Sequence, residues 1–290
     1  MALPKLTAFH VPGSVSEALT LLGQYEDGLP LAGGTFIRGL DARGLLAEVT
    51  ALVDVRRIGS AQLCASGAEL KIGAAVTFGT LAATPEVATA PWLAALAEAL
   101  KHPPMQVRNS ATLGGCIAAA CPFFDIPTAL LALGAEVEVE GAGGARRLAL
   151  AELFTGMFTN SLAKAELVTA VVLPVPPAGS ASGFAKLATN ANDLAIVNAA
   201  VRVRVDTKGI CQDAAVALGG GIGETALRVA AAEKVLTGVR IDATVLQKLD
   251  EAVGGGIEPF SDHRASASYR KAMAKVMVRR ALERALARLG

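Results

Sequence analysis

The sequence predicts a chain of mixed helices and strands in two parts, and three observations carry that expectation. Its 290 residues are enough for two domains, or for one large core with an appended module. Segments of helical period interleave with short apolar or alternating runs, and nowhere does the G-x-G-x-x-G string of a doubly wound dinucleotide fold occur. Pro176-Pro-Ala-Gly-Ser-Ala-Ser-Gly183 interrupts the pattern with turn formers, and the best boundary lies there.

The elements follow in order. Ser14-Val-Ser-Glu17 fits a capping box, and Val15, Ala18, Leu19 and Leu22 recur behind it at helical spacing. Leu29 to Phe36 reads as a short apolar strand running into a glycine turn, and Leu52-Val-Asp-Val55 and Leu70 to Val76 as buried strands. Pro91 to Lys101 is expected to be helical, with Pro91 in the first turn, where its missing N–H costs nothing. Thr112-Leu-Gly-Gly115 reads as a turn, with a short helix from Ile126 to Leu133 after it. Glu136 to Glu140 alternates as a half-exposed strand does, Gly141-Ala-Gly-Gly144 makes a hairpin turn, and Leu167 to Val175 is a further strand. Beyond the boundary, Leu194 to Val205 and Ala214 to Leu218 read as antiparallel strands and Ala226 to Leu236 as a helix. A long helix over Ser268 to Leu289 turns Met273, Val276, Met277, Leu282, Leu286 and Leu289 inward, and its basic residues are expected on a solvated face, with partner docking as the second reading.

Composition excludes several classes. Lys+Arg 27 against Asp+Glu 26 leaves a net charge of +1, which gives no reason to expect a nucleic-acid partner or an anionic membrane surface. No run reaches the roughly 18–20 apolar residues of a membrane helix, and the N-terminus shows no secretory signal. Cys64, Cys116, Cys121 and Cys211 match no zinc or iron–sulfur spacing, so free thiols in a reducing cytoplasm are the simplest account. The hydrophobic fraction of 52% is largely alanine, read either as an Ala-rich soluble chain or as apolar surface covered by partner subunits. His10, His102 and His263 form no catalytic triad pattern and no metal cluster, so no catalytic residue and no metal ligand is assigned.

Two glycine strings carry the chemistry. Ala32-Gly33-Gly34-Thr35 and Thr112-Leu113-Gly114-Gly115 each follow an apolar run, and the second is followed by Asp125. Without a Cβ, Gly114 and Gly115 let a ligand lie against bare backbone, their N–H groups toward a phosphate, with Asp125 placed to accept from a ribose hydroxyl. Alone this supports a nucleotide cofactor held by loops.

The ordered motifs extend further. Leu31-Ala-Gly-Gly-Thr35, Leu52-Val-Asp-Val-Arg-Arg-Ile58, Ile72-Gly-Ala-Ala-Val-Thr77, Gln106-Val-Arg-Asn-Ser-Ala-Thr-Leu-Gly-Gly115, Asp125-Ile-Pro127, Leu130-Leu-Ala-Leu133, Ala217-Leu-Gly-Gly220 and Arg264-Ala-Ser-Ala-Ser-Tyr-Arg270 run nearly end to end. In order and spacing the chain resembles the FAD-binding medium subunit of the molybdenum hydroxylases, the family of xanthine dehydrogenase and aerobic carbon monoxide dehydrogenase. The resemblance implies an α+β fold: a two-lobed FAD-binding domain of the vanillyl-alcohol-oxidase type over 1–177, with lobes of about 1–58 and 59–177, then a smaller α+β domain over 178–290.

It implies that Leu31, Ala32, Gly33, Gly34, Thr35 and Phe36, with Thr112, Leu113, Gly114, Gly115 and Cys116, surround the pyrophosphate. Asp125 would hold the adenosine or ribityl side, Val168 would touch the isoalloxazine, and Lys186 would set a cation near the ring. His102 lies where some relatives place an aromatic, and Cys116 stands where the family usually has Asn. Cys116 and Cys121 invite a redox pair, with buried inert thiols as the alternative. The implied activity is electron transfer. A large molybdopterin subunit hydroxylates substrate, and a small subunit with [2Fe–2S] clusters passes electrons to FAD here. FAD delivers them to NAD, a quinone or dioxygen, within a dimer of heterotrimers. The competing readings are a self-sufficient FAD oxidoreductase of the same superfamily and a flavin-free assembly subunit.

Overall fold

A computed structural model of the chain describes residues 3–59 and 61–289. The first sheet has three parallel strands in the order β1-β3-β2. It is built from β1 (Ala8–His10), α1 (Val15–Gln24), β2 (Gly28–Leu31), α2 (Thr35–Asp41) and β3 (Ala51–Asp54). The hydroxyl of Ser14 accepts from Glu17 N at the start of α1, while the Glu17 carboxylate takes the N–H of Gly13 rather than that of the cap residue. β3 is buried along its whole length because it is covered on both faces: Val53 packs with Ala18 and Leu22 of α1, and Leu52 with Leu46, Val49 and the apolar residues of α2.

The second sheet is five-stranded and antiparallel, in the order β4-β5-β10-β6-β7. Its strands are β4 (Leu63–Ser66), β5 (Glu69–Gly73), β6 (Glu136–Gly141), β7 (Gly144–Ala149) and β10 (Glu166–Pro174). Between β5 and β6 run six short helices, α3 (Phe78–Ala83), α4 (Pro85–Thr89), α5 (Ala94–Ala99), α6 (Met105–Ser110), α7 (Leu113–Ala118) and α8 (Asp125–Ala132). The helix expected over 91–101 is a 3-10 turn, Pro91–Leu93, followed by α5. The turn expected at Gly114 and Gly115 is instead the first turn of α7, capped by the Thr112 hydroxyl. After β7 come α9 (Leu150–Leu153) and the small hairpin of β8 (Phe154–Gly156) and β9 (Thr159–Asn160).

The third sheet is antiparallel, β11 (Ser180–Leu187), β12 (Val197–Val205), β13 (Cys211–Gly219) and β14 (Leu227–Arg228) in that order. The helices α10 (Ala230–Leu236), α11 (Ala243–Gly255) and α12 (Ala267–Leu286) complete the chain. Leu227 and Arg228 pair with β13, which shortens the helix expected from Ala226. Strand alternation divides the sheet's faces. Val197, Ala199, Val201 and Val203 join the core beneath α12, whereas Phe184, Ala200 and Ala217 enter the core of the five-stranded unit.

The long C-terminal helix buries a narrower stripe than expected: Ala274, Met277, Val278, Ala281, Leu282 and Ala285 are covered, while Met273, Val276, Leu286 and Leu289 lie at its margin. Small residues let α12 come close to β11, where a Cβ on Gly183 would sit 2.3 Å from the Ala281 carbonyl oxygen. Lys271, Arg280 and Arg284 are exposed as expected, but other basic residues of the helix, and the tip of Arg284, are drawn into contacts. Arg288 binds Glu98 of α5 at 2.6 Å, Arg284 donates to the Phe184 carbonyl, and Glu98 also accepts from Phe184 N at 2.8 Å. Arg270 is wholly buried and pairs with Asp262 at 2.7 Å.

Candidate cofactor site

The two glycine strings meet. A Cβ on Gly33 would lie 1.9 Å from Ser110 O and 2.9 Å from Ala111 Cα, so the first loop rests directly on the backbone that enters α7. The register of Leu31 with Asp54 anchors the loop's base. Asp54, 3% exposed, accepts from Arg56 through both oxygens. The Arg56 hydrogen bond holds its carboxyl below the usual range, against the rise that burial alone would cause. Gly34 has φ +68°, a conformation glycine adopts freely, and it turns the chain into α2. No acceptor among the described residues takes the amides of Thr35, Phe36 or Ile37, the usual orphan donors of a helix start.

The second string behaves differently. Gly114 N donates to Ala74 O at 2.9 Å and Gly115 N to the Thr112 hydroxyl at 3.2 Å, while Leu113 N donates to Val76 O. The expectation that the Gly114 and Gly115 amides face a phosphate is therefore corrected, because local partners use both. Gly114 is a packing glycine: a Cβ there would sit 2.6 Å from that of Ala74. Gly115 is exposed and offers bare backbone about one contact distance from Ala32, whose Cβ would be 3.9 Å from its own.

Aromatic rings flank the loops. Phe36 meets Phe124 edge-on at 5.8 Å and stacks with Phe158 at 6.0 Å. Phe158 (φ +60°) and Ala120 (φ +43°) are the non-glycine residues with positive φ among the described residues, and Phe158 N donates to Ala120 O. Asn160 also bonds Ala118 O at 2.7 Å, so the β8–β9 hairpin is fastened to the end of α7. Nothing in the sequence pattern signals Phe158, because its conformation depends on this fastening.

Asp125 and Lys186 form one group. Their ion pair is 2.7 Å long, and both side chains are nearly covered, 6% and 4% exposed. Burial pushes the Asp125 carboxyl up, against the pull of Lys186 and of Asn198, which donates to its other oxygen at 2.8 Å. His102 is half-buried, with its ring 5.6 Å from that of Phe184, and burial lowers its pKa. Val168 lies at the bulged start of β10, and among the described residues no hydrogen bond, ion pair or ring contact joins it to the Lys186 group.

Burial drives Cys116 well above its ordinary pKa and Cys121 up to about 11, so both are held as thiols rather than thiolates. All four cysteines are free. No group of His, Cys, Asp and Glu side chains among the described residues makes a metal site, and no helix is long and apolar enough to cross a membrane.

Open amides at α2, the side-chain-free surface of Gly115 and the half-exposed aromatic margin suit an extended nucleotide cofactor lying along the seam of the two loops. Residues 5–176 match the family described as FAD binding domain in molybdopterin dehydrogenase, and residues 182–285 the CO dehydrogenase flavoprotein C-terminal domain. The chain is 35% identical over 290 residues to the carbon monoxide dehydrogenase medium chain of Afipia carboxidovorans, covering 99% of each. It is 32% identical to the nicotine 6-hydroxylase medium subunit of Paenarthrobacter nicotinovorans, covering 99% of this chain and 100% of that one. Among solved structures it superposes on carbon monoxide dehydrogenase from Hydrogenophaga pseudoflava with a TM-score of 0.92 at 33% identity, over 99% of both chains. It superposes on quinoline 2-oxidoreductase from Pseudomonas putida 86 with 0.90 at 28%, over 100% of both. The fold and the family matches thus define an α+β flavoprotein. The chain belongs to the FAD-binding medium subunits of the molybdenum hydroxylases.

Proposed function

We propose that this chain collects electrons from [2Fe–2S] clusters of a small partner subunit and passes them through FAD to an external acceptor, while a large molybdopterin subunit hydroxylates the substrate. The assembly is a dimer of heterotrimers in the cytoplasm. The chain divides at 177/178, with two lobes, 1–58 and 59–177, around the cofactor. When bound, FAD supplies the exchange between one-electron donors and a two-electron acceptor. The chain's own residues bind and orient it. The amides of Thr35, Phe36 and Ile37 face the pyrophosphate. Leu31 to Phe36 and Thr112 to Cys116 line its seat. Val168 touches the isoalloxazine, Asp125 holds the adenosine or ribityl side, and Lys186, with His102 nearby, sets a cation near the ring.

The observation that carries this reading is the backbone contact of Gly33 with Ser110 and Ala111, which sets the open α2 amides beside the exposed Gly115. Purification from the native host tests it. The complex should be yellow, with stoichiometric FAD and two co-purifying partner subunits. A colourless complex would refute the flavin assignment, and a yellow chain that turns over substrate alone would refute the subunit assignment.

A further inference from the structure

α8 meets the four-stranded sheet through a buried polar cluster. Lys186, Asn198 and Gly219 are cross-strand neighbours on β11, β12 and β13, one rung facing α8. Asp125 and Thr128 come from α8 itself. Thr128 and Asn198 are fully buried, and unpaired polar groups there would be costly. Each has a partner: Asn198 Nδ2 donates to Asp125 Oδ1 at 2.8 Å and to Phe124 O at 3.2 Å, and its Oδ1 accepts from the Thr128 hydroxyl at 2.8 Å. Two acceptors on one side and a hydroxyl on the other fix which way the amide points. Gly219 makes the room, since a Cβ there would lie 2.4 Å from Thr128 Oγ1 and 2.6 Å from Asn198 Oδ1.

We propose that Asn198, held by Thr128, is a positioning residue for the flavin: it locks the Asp125 carboxylate onto the Lys186 ammonium and so sets the charge that the cleft wall presents to the cofactor. The proposal rests on the FAD-binding reading above. The cluster adjoins the glycine loops, since Phe124, whose carbonyl Asn198 holds, packs its ring on Phe36. Cys116, one residue past Gly115, feels the charge of Asp125. The groups facing the pair are His102 and Cys116, with Glu98 and Arg284 acting on His102 from α5 and α12. Burial raises the Asp125 pKa, and the Asn198 hydrogen bond is one of the interactions that lower it. Losing the Asn198 donor removes one of the groups that hold the carboxyl ionised and frees it from its fixed orientation, so that a proton taken from solvent would leave the Lys186 charge uncompensated. A nearby cation stabilises the reduced, more negative flavin.

The test uses Asn198→Ala and Thr128→Val in the full complex, measuring FAD per chain, melting temperature and flavin midpoint potential at neutral pH. Asn198→Ala should retain FAD and shift the equilibrium toward reduced flavin about tenfold, ~30 mV for a two-electron couple. Thr128→Val, nearly isosteric, should shift it less and in the same direction. Lowered melting temperatures with unmoved potentials in both variants would overturn the proposal, showing a purely structural cluster. If Asn198→Ala fails to fold, an unmoved potential in Thr128→Val overturns it alone. A colourless wild-type complex overturns the underlying FAD reading, and this proposal with it.

Discussion

Gly33→Ala probes the contact on which the site depends. The added methyl would meet Ser110 O at 1.9 Å, Ser110 C at 2.6 Å and Ala111 Cα at 2.9 Å. All three are backbone atoms, so no side chain can swing aside. An ordinary C···O approach is about 3.3 Å, so the two loops must part by roughly 1.4 Å at this point. Gly33 has no positive φ, and the penalty is therefore steric. Overpacking of this kind costs about 1–3 kcal/mol. If that cost is relieved by opening the seam, FAD binding weakens by about 5- to 150-fold. Titration of FAD into the flavin-depleted complex, followed by fluorescence quenching, measures the change. Gly39→Ala is the control: it lies in α2 with nothing within 4 Å, so it should bind FAD as wild type does and gain about 0.5–1 kcal/mol of stability. Wild-type affinity in Gly33→Ala would refute the reasoning.

Three further outcomes are expected. Gly115→Val puts a branched side chain onto the exposed seat, with its Cβ 3.0 Å from the capping Thr112 hydroxyl, and should abolish FAD retention while lowering stability by only about 1 kcal/mol, as flavin content and thermal melts would show. Gly183→Ala drives a methyl into the Ala281 carbonyl and Ala285 N of α12, and should destabilise the chain by about 1–3 kcal/mol in chemical denaturation. Burial alone would raise the pKa of Asp262, but the hydrogen bonds from Arg270 and from the amides of Arg264 and Ala265 outweigh it and hold the carboxyl far below the usual range. A depressed folded-state pKa contributes stability above the unfolded value of about 3.9 that is lost as pH falls below it. Asp262→Asn should therefore cost about 3–5 kcal/mol at neutral pH, by leaving the buried Arg270 without its counter-charge, and lose less on acidification than wild type in melts at both pH values.

Much of the fold was legible because local chemistry agreed with it. Ser14 caps α1, Leu52 to Val55 reads as buried since both faces of β3 are covered, and the alternation of Glu136 to Glu140 survives in β6. What sequence could not show depends on distant contacts. The glycines at 114 and 115 look like a turn, yet Val76, Ala74 and Thr112 supply the bonds that make them helical and consume their amides. Arg288, just past the end of α12, looks solvated until Glu98, 190 positions away, comes to meet it. Asp125 and Lys186 were both visible as candidates, but their pairing was not. Asn198 was missed, although an amide among the inward-facing residues of a strand that alternates so cleanly is itself a signal.

The central claim, that FAD in this chain accepts electrons only by way of partner subunits, is tested most directly by adding substrate anaerobically to the isolated FAD-loaded chain and to the whole complex while following the flavin absorption band. The account predicts that the band bleaches in the complex and stays unchanged in the isolated chain. Bleaching of the isolated chain, or a complex that oxidises substrate without bleaching the flavin, would contradict it.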